Sequence, residues 1–284
     1  MNRIKMKTDI VYNENLQKDI KIIHIADIHF NINTNIRMLQ NVSNKINLEK
    51  ANYVIVTGDI VDEAKIIYNK EKINELITFF KTIARDNKVI ISLGNHDIYN
   101  CSDTFFDTLD KIDNICVLDN KEYSDEFIYV CGFTLPKNYY YNKSRDESIE
   151  VFLNYLDNYS KLVNKLPSNK VKIALIHSPI KLVNMDILNK LIGYDVILCG
   201  HTHDGLVPDC LKFLFRGNSG IVSPYRKIFP KIAKGKIVKE INNHVITIII
   251  NGGITKLSLK SAKILSKLNI IFNIGINRII ITKK

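Results

Sequence analysis

The sequence predicts an α/β domain whose sheets are covered by helices. Two patterns point there. Short β-branched runs alternate with longer segments of helical period, and five short polar motifs each fall where a predicted strand gives way to a loop. Residues 21–26 (KIIHIA) read as a short buried strand. Residues 34–49 read as a helix with Ile36, Leu39, Val42 and Ile46 on one side. Residues 53–57 (YVIVT) are a strand, and residues 69–86 are a helix in which Ile73, Leu76, Ile77, Phe80, Ile83 and Ala84 keep the 3, 4, 7 spacing. Residues 88–93 (KVIISL) return to a strand. A helix over 145–166 places Ile149, Phe152, Leu153, Leu156 and Val163 on its apolar side, and strands at 171–176 and 195–199 flank a short helix at 185–191. In the last third, Gly217, Gly220, Pro224 and Pro230 break the chain up before HVITIII and NRIIIT read as strands. With no Ser/Gly-rich linker and no repeat, residues 1–284 are expected to form a single domain with a basic, β-rich closing segment from about residue 205.

Composition narrows the classes. A 46% hydrophobic fraction can build a large core and excludes a disordered chain. Five Cys with no C-x-x-C pair argue against a disulfide framework and a zinc ribbon, and fit a reducing compartment. No apolar run approaches the ~18 residues of a spanning helix, so neither a transmembrane segment nor a signal peptide is expected. The expected location is cytoplasmic, with peripheral contact at the inner membrane surface.

The net charge of +11 is unevenly spread. Residues 205–284 hold fifteen Lys+Arg against Asp209 and Glu240, a net of +13, while the preceding 204 residues carry −2. A basic face for phosphate, nucleic acid or anionic lipid is one reading; Lys-rich codon usage on a solvated surface is the other.

The chemistry sits in five motifs: Asp27-Ile28-His29, Gly58-Asp59, Gly94-Asn95-His96-Asp97, His177, and Gly200-His201-Thr202-His203. Ligands of α/β sheets bind beyond the carboxyl ends of strands, so the five are expected to converge on one sheet edge. In an extended segment alternate residues share a face, which would put Asp27 with His29 and His201 with His203. A mixed set of O and N donors suits Mn²⁺, Fe, Zn²⁺ or Mg²⁺ rather than a Cys-rich structural zinc site. The donors exceed what one four-coordinate ion requires. The surplus points to two metals, with Asp59 as the natural bridging carboxylate.

In this order, D-x-H, G-D, G-N-H-[DE], H and G-H-x-H, the motifs resemble the calcineurin-like metallophosphoesterase superfamily. The resemblance covers residues 21–203 through the motifs and the whole chain more loosely. It implies a four-layer α/β/β/α sandwich of two mixed sheets with a dinuclear metal site. It also implies a metal-dependent phosphoesterase, of bacterial type, that hydrolyses a phosphate ester or pyrophosphate by a metal-bridging hydroxide. Two divalent ions, Mn²⁺ foremost, would be held by Asp27, His29 and His203 at one position and by Asn95, His177 and His201 at the other, with Asp59 bridging. His96 would be no ligand; it would protonate the leaving oxygen or stabilise the transition state. A phosphorylated small molecule, nucleotide or phospholipid-type substrate follows. A DNA or RNA nuclease of the same superfamily is the alternative, and a non-catalytic binding scaffold a third reading. The nearest likeness within the superfamily is to bacterial single-domain phosphoesterases ending in G-H-T-H-G-G-Q, which include UDP-diacylglucosamine pyrophosphatase-like members. Here Asp204 replaces the first Gly and Leu206 the Gln, so substrate preference does not carry over.

The remaining polar residues have plainer readings. His24 falls on the opposite strand face and reads as structural, His244 as a turn residue and Cys199 as a small buried apolar group. Tyr139, Tyr140 and Tyr141, flanked by Lys137 and Lys143, read as an exposed loop or a substrate-facing one. Asp62 is a brace for the Asp59 loop or a surface carboxylate. Asp97 orients the His96 ring or holds a turn. There is no phosphate-binding G-x-x-x-x-G-K-[ST] loop, no G-x-S-x-G elbow and no dinucleotide fingerprint.

Overall fold

A computed structural model describes residues 3–14, 16, 18–101, 103–141, 145–164, 166–167, 169–222, 224, 228–257 and 271–284. In chain order the strands are β1 (Ile4–Tyr12), β2 (Ile20–Ile25), β3 (Tyr53–Thr57), β4 (Lys88–Ser92), β5 (Ile115–Leu118), β6 (Glu122–Ser124), β7 (Ile128–Phe133), β8 (Val171–Ile176), β9 (Val196–Cys199), β10 (Gly235–Ile241), β11 (His244–Ile250) and β12 (Ile274–Thr282). The α-helices are α1 (Ile36–Leu48), α2 (Lys70–Ala84), α3 (Asn95–Asn100), α4 (Asp103–Asp110), α5 (Lys137–Tyr141), α6 (Arg145–Asn158), α7 (Ser160–Asn164) and α8 (Met185–Lys190).

Two six-stranded sheets form, in the orders β1-β12-β2-β3-β4-β5 and β10-β11-β9-β8-β7-β6. Both are mixed: β12 runs antiparallel to β2 in the first, and β10 and β6 antiparallel to their neighbours in the second. The alternation of side chains sorts each strand between two cores. Ile23, Ile25, Val54, Val56, Val89 and Ile91 pack with Leu39, Val42, Leu76 and Phe80 of α1 and α2. Their neighbours Ile22, Ile55 and Ile90 join Val130, Ile173, Leu175 and Leu198 of the second sheet. On that sheet's far side, Cys131, Phe133, Ala174, Ile176 and Ile197 meet Phe152, Leu156 and Leu188 of α6 and α8. The result is the four-layer α/β/β/α sandwich. It explains why the central strands read as continuous apolar runs: both of their faces are buried. Asn35 and Asn69 start α1 and α2 by accepting backbone N–H groups of Arg37 and Lys72.

Several expectations change. The helix over 145–166 is two helices, interrupted at Tyr159 between Asn158 and Ser160, whose side chains compete for backbone hydrogen bonds. The edge strands β1 and β10 are exposed or half-buried at most positions, with only Asp9, Val11 and Ile241 buried, and carry little apolar signal. The tyrosine run is helical, not an exposed loop: Tyr139 and Tyr140 are buried in α5 and only Tyr141 is exposed. Lys143 and the Val163 side chain lie outside the described residues. The turn before β11 is made by Asn242 and Asn243, both at positive φ, while His244 is already in the strand and its Nε2 bonds the Tyr194 carbonyl. Among the described residues no helix is long and apolar enough to cross a membrane.

Candidate metal centre

The motifs follow the carboxyl ends of β2, β3, β4, β8 and β9, and the structure gathers their side chains at one edge of the sandwich. Donor atoms of Asp27, His29 and His203 lie within 4.8 Å of one another, and so do those of Asp59, His177 and His201. Asp59 reaches towards both groups: its Oδ2 is 3.1 Å from His177 Nε2 and 3.6 Å from His29 Nε2. Asp27 Oδ1 is 3.8 Å from both His29 Nε2 and His203 Nε2. Ligands at ~2.0–2.2 Å from a common ion stand about 3.0–3.6 Å apart, so the donors are nearly at coordination spacing. Asn95 opens α3 beside them, and its Oδ1 is buried with no hydrogen bond. His96 is the next residue; its backbone N–H donates to Asp59 Oδ1 at 2.8 Å. Its ring is 21% exposed where those of His29 and His177 are closed off.

The loops do not achieve this by extended alternation. Asp27, His29, Asp59, His201 and His203 all have positive φ, between 46° and 69°. Such conformations cost of order 1–3 kcal/mol each in non-glycine residues and persist only where surroundings enforce them. The consequence is that His201 and His203 separate into different groups rather than pointing together. Asp27 anchors one turn by accepting the His201 N–H at 3.0 Å. At the next, a Cβ on Gly58 would meet the Gly94 nitrogen at 2.3 Å, and one on Gly94 would meet Asp59 Oδ1 at 2.3 Å. Only a glycine pair lets the Asp59 and Asn95 loops touch.

Each ring is aimed from behind. His177 Nδ1–H donates to the Thr57 carbonyl at 2.7 Å and His203 Nδ1–H to the Thr255 carbonyl at 2.8 Å. Both Nε2 atoms therefore face the cluster, the ring orientation a metal ligand needs. Asp62 is not a surface group. It is buried, and its Oδ1 sits 3.2 Å from both His29 Nδ1 and His96 Nδ1. Asp97 does not touch the His96 ring; its carboxylate accepts the N–H groups of Ile60, Val61 and Gly94 and ties the two loops together. His24 bonds Thr57 Oγ1 at 2.8 Å, away from the cluster, and Cys199 is a buried core residue. Sequence reasoning missed the segment after β11, where Thr255 supplies the His203 acceptor and a Cβ on Gly253 would meet Asp27 Cβ at 2.8 Å. Its signal was the Gly252-Gly253 pair ending an apolar run.

The electrostatics are those of a site that wants cations. Among the described residues neither Asp27 nor Asp59 pairs with a Lys or Arg. Burial raises the Asp27 carboxyl to about 6. Burial also works against the Asp59 charge, but His177, His96 and His29 outweigh it and hold the group well below the usual range. Burial lowers the His96 and His177 rings; the Asp59 charge, with Asp62 bonded to the first and Asp59 to the second, overcomes this and lifts both to about 9. Burial takes His203 down to about 3 and His201 well below its ordinary value, leaving them neutral donors. The buried His29 Nε2 and Asn95 Oδ1 make no hydrogen bond, a cost that a metal ion would remove. The O and N donor set thus fits divalent cations.

The two-sheet sandwich thus gathers hard and borderline donors at its strand ends. The profile of the calcineurin-like phosphoesterase family matches residues 20–205, and the chain belongs to that family. Its members use a dinuclear divalent metal site. The chain is 26% identical over 193 residues to an uncharacterized metallophosphoesterase of Campylobacter jejuni, covering 68% of this chain and 46% of that one. It is 25% identical over 206 residues to an uncharacterized metallophosphoesterase of Helicobacter pylori, covering 72% and 50%. The chain thus spans about half the length of these relatives. A dimetal phosphatase from Danio rerio is similar in structure at a TM-score of 0.47 and 11% identity, over 84% of this chain and 88% of that one. GAP50 of Plasmodium is similar at 0.44 and 11%, over 84% and 73%.

Proposed function

We propose that the protein hydrolyses a phosphate ester or pyrophosphate with Asp27, His29 and His203 holding one divalent cation, Asn95, His177 and His201 the other, and Asp59 between them. The observation that carries this reading is the convergence of these donors with their ring nitrogens turned inward. Bound there, two divalent cations would supply a water of lowered pKa and positive charge for the phosphoryl oxygens. The chain supplies the rest. Asp62 holds the His96 ring at the open side of the cluster, where the imidazolium donates its proton to the leaving oxygen. The backbone bond from His96 to Asp59 holds the acid beside that carboxylate. Burial of His201 and His203 keeps these two rings deprotonated and free to ligate.

Mn²⁺, Fe, Zn²⁺ and Mg²⁺ all suit this mixed O/N donor set, and Mn²⁺ is the ion to try first. The test is purified protein with Mn²⁺, a metal analysis, and aryl phosphate, bis-aryl phosphate and pyrophosphate as substrates. Close to two ions per chain and metal-dependent turnover are expected. A folded chain that retains two ions yet cleaves none of the three overturns the phosphoesterase assignment. Retention of no metal overturns the ligand set. We read residues 1–284 as one domain, since β11 and β12 of the closing segment pair into the two sheets. Five unpaired cysteines support a reducing, cytoplasmic setting. The basic closing segment favours a nuclease as the second reading, and a steep fall of DNA binding with salt is its signature. The same segment supports contact with an anionic membrane face.

A further inference from the structure

A cavity of about 260 Å³ opens where the edges of the two sheets meet, behind the ligand cluster. It is framed by β1 and β12 on one side and by β10, β11 and the loop after β9 on the other. Four lysines line it, from three distant stretches of chain: Lys5 and Lys7 on β1, Lys212 in the loop, and Lys234 just before β10. Lys5 and Lys7 share a face because alternate strand residues do, and the residue opposite Lys5 is Gly275, which leaves the space open. Ile250 and Ile276 give the cavity an apolar floor.

Gathering like charges from separate segments costs electrostatic energy unless something negative sits among them. The nearby carboxylates are largely committed. Asp9 pairs with Lys7 at 3.0 Å, Asp209 with Lys212 at 2.5 Å, and Asp204 with the buried Lys256 at 3.2 Å. Counting Lys256, five lysines face three carboxylates, so the lining keeps a net positive charge. Lys234 feels it: burial, opposed by Asp204 and reinforced by Lys212, lowers its ammonium group. Its Nζ donates to the Phe215 carbonyl at 2.8 Å, which leaves two protons for a ligand. Asp204, the residue after His203, forms the wall between this cavity and the cluster, and a Cβ on Gly252 would collide with it at 2.3 Å.

We propose that this cavity binds the phosphate group of a small organic molecule, with Lys5, Lys7, Lys212 and Lys234 as the cationic rim and Ile250 and Ile276 as the floor. The size fits. An apolar cavity of about 150 Å³ holds a benzene, so this one accommodates a phosphate together with a small apolar body. The assignment stands apart from the metal chemistry, because none of its residues is a metal ligand.

The test titrates phenylphosphonate, an uncleavable probe, into the metal-loaded full chain while mass spectrometry reads the acetylation rate of each lysine. Selective protection of Lys5, Lys7, Lys212 and Lys234 is expected, with the remote Lys65 unchanged. In a Lys212→Gln, Lys234→Gln double variant, half-protection of Lys5 and Lys7 should need about a hundredfold more probe, the loss of two charge-assisted hydrogen bonds. Lysines that acetylate at one rate with and without probe overturn the proposal, as does a double variant that protects like the parent. Inorganic phosphate as a second probe separates free phosphate from an organic ligand. Weaker protection than by phenylphosphonate supports the organic ligand, and equal protection overturns the apolar floor as part of the site.

Discussion

At the strand ends, Asp27 and Asp59 are buried among imidazoles, on loops whose backbone is forced to positive φ. Around the closing segment's cavity, lysines stand on flexible stems with their carboxylate partners alongside. The first region holds charge by backbone geometry and excludes water; the second holds it by long side chains that water and salt can reach. Buried charge at fixed positions is worth far more per group than screened charge. Substitutions should therefore act steeply in the first region and gently in the second.

The largest effect is expected at Asp59. Asp59→Asn removes the carboxylate shared by both donor groups, so the metal content should fall below two per chain and turnover drop by roughly 10³-fold, several kcal/mol of transition-state stabilisation. Retention of two ions with near-normal turnover would take Asp59 out of the bridge. Next, His96→Ala should lower kcat by about 10²-fold or more, as for loss of a general acid, with metal content unchanged. A parallel loss of metal would move His96 into the ligand set. Asp62→Asn should weaken metal affinity or turnover by roughly 10–100-fold, the usual cost of losing a group that orients ligands. Asp97→Asn leaves the rings alone but weakens an acceptor of three buried N–H groups. It should cost about 1–3 kcal/mol of stability, read as a lower Tm, while the metal-loaded protein keeps its turnover. Smallest is the salt response: raising ionic strength should lower kcat/KM for a multiply charged substrate only severalfold, through screening of the basic segment.

The two regions also differed in how far they could be read in advance. The strands and helices of residues 20–92 were legible because both faces of each central strand are buried and the helices keep an apolar stripe. The motif residues were legible because this chemistry admits few side-chain types at fixed offsets. What aims them was not. The acceptors for His177 and His203 are the backbone carbonyls of Thr57 and Thr255, and a carbonyl leaves no mark in a sequence. Asp62 lies three residues after Asp59 and Asp97 directly after His96, and spacing alone could not say which of them meets the His96 ring. In the closing segment the excess charge was plain, but its gathering around a cavity depends on β1, an edge strand with too little apolar pattern to be recognised.

The placement of β12 has a consequence for how the protein is made. That strand lies between β1 and β2 and hydrogen-bonds directly to β2, with Asn277 opposite His24, about 250 residues away along the chain. On a ribosome, β2 emerges long before its neighbour exists. At about 5–20 residues per second it waits on the order of tens of seconds with one edge unpaired. Throughout that interval the strand that leads into Asp27 and His29 is an open template for another chain. Expression yield should therefore depend on holdase chaperones and growth temperature more than the stability of the finished fold suggests. The two metal positions would be completed last, by the stretch of chain that contributes no ligand to either of them.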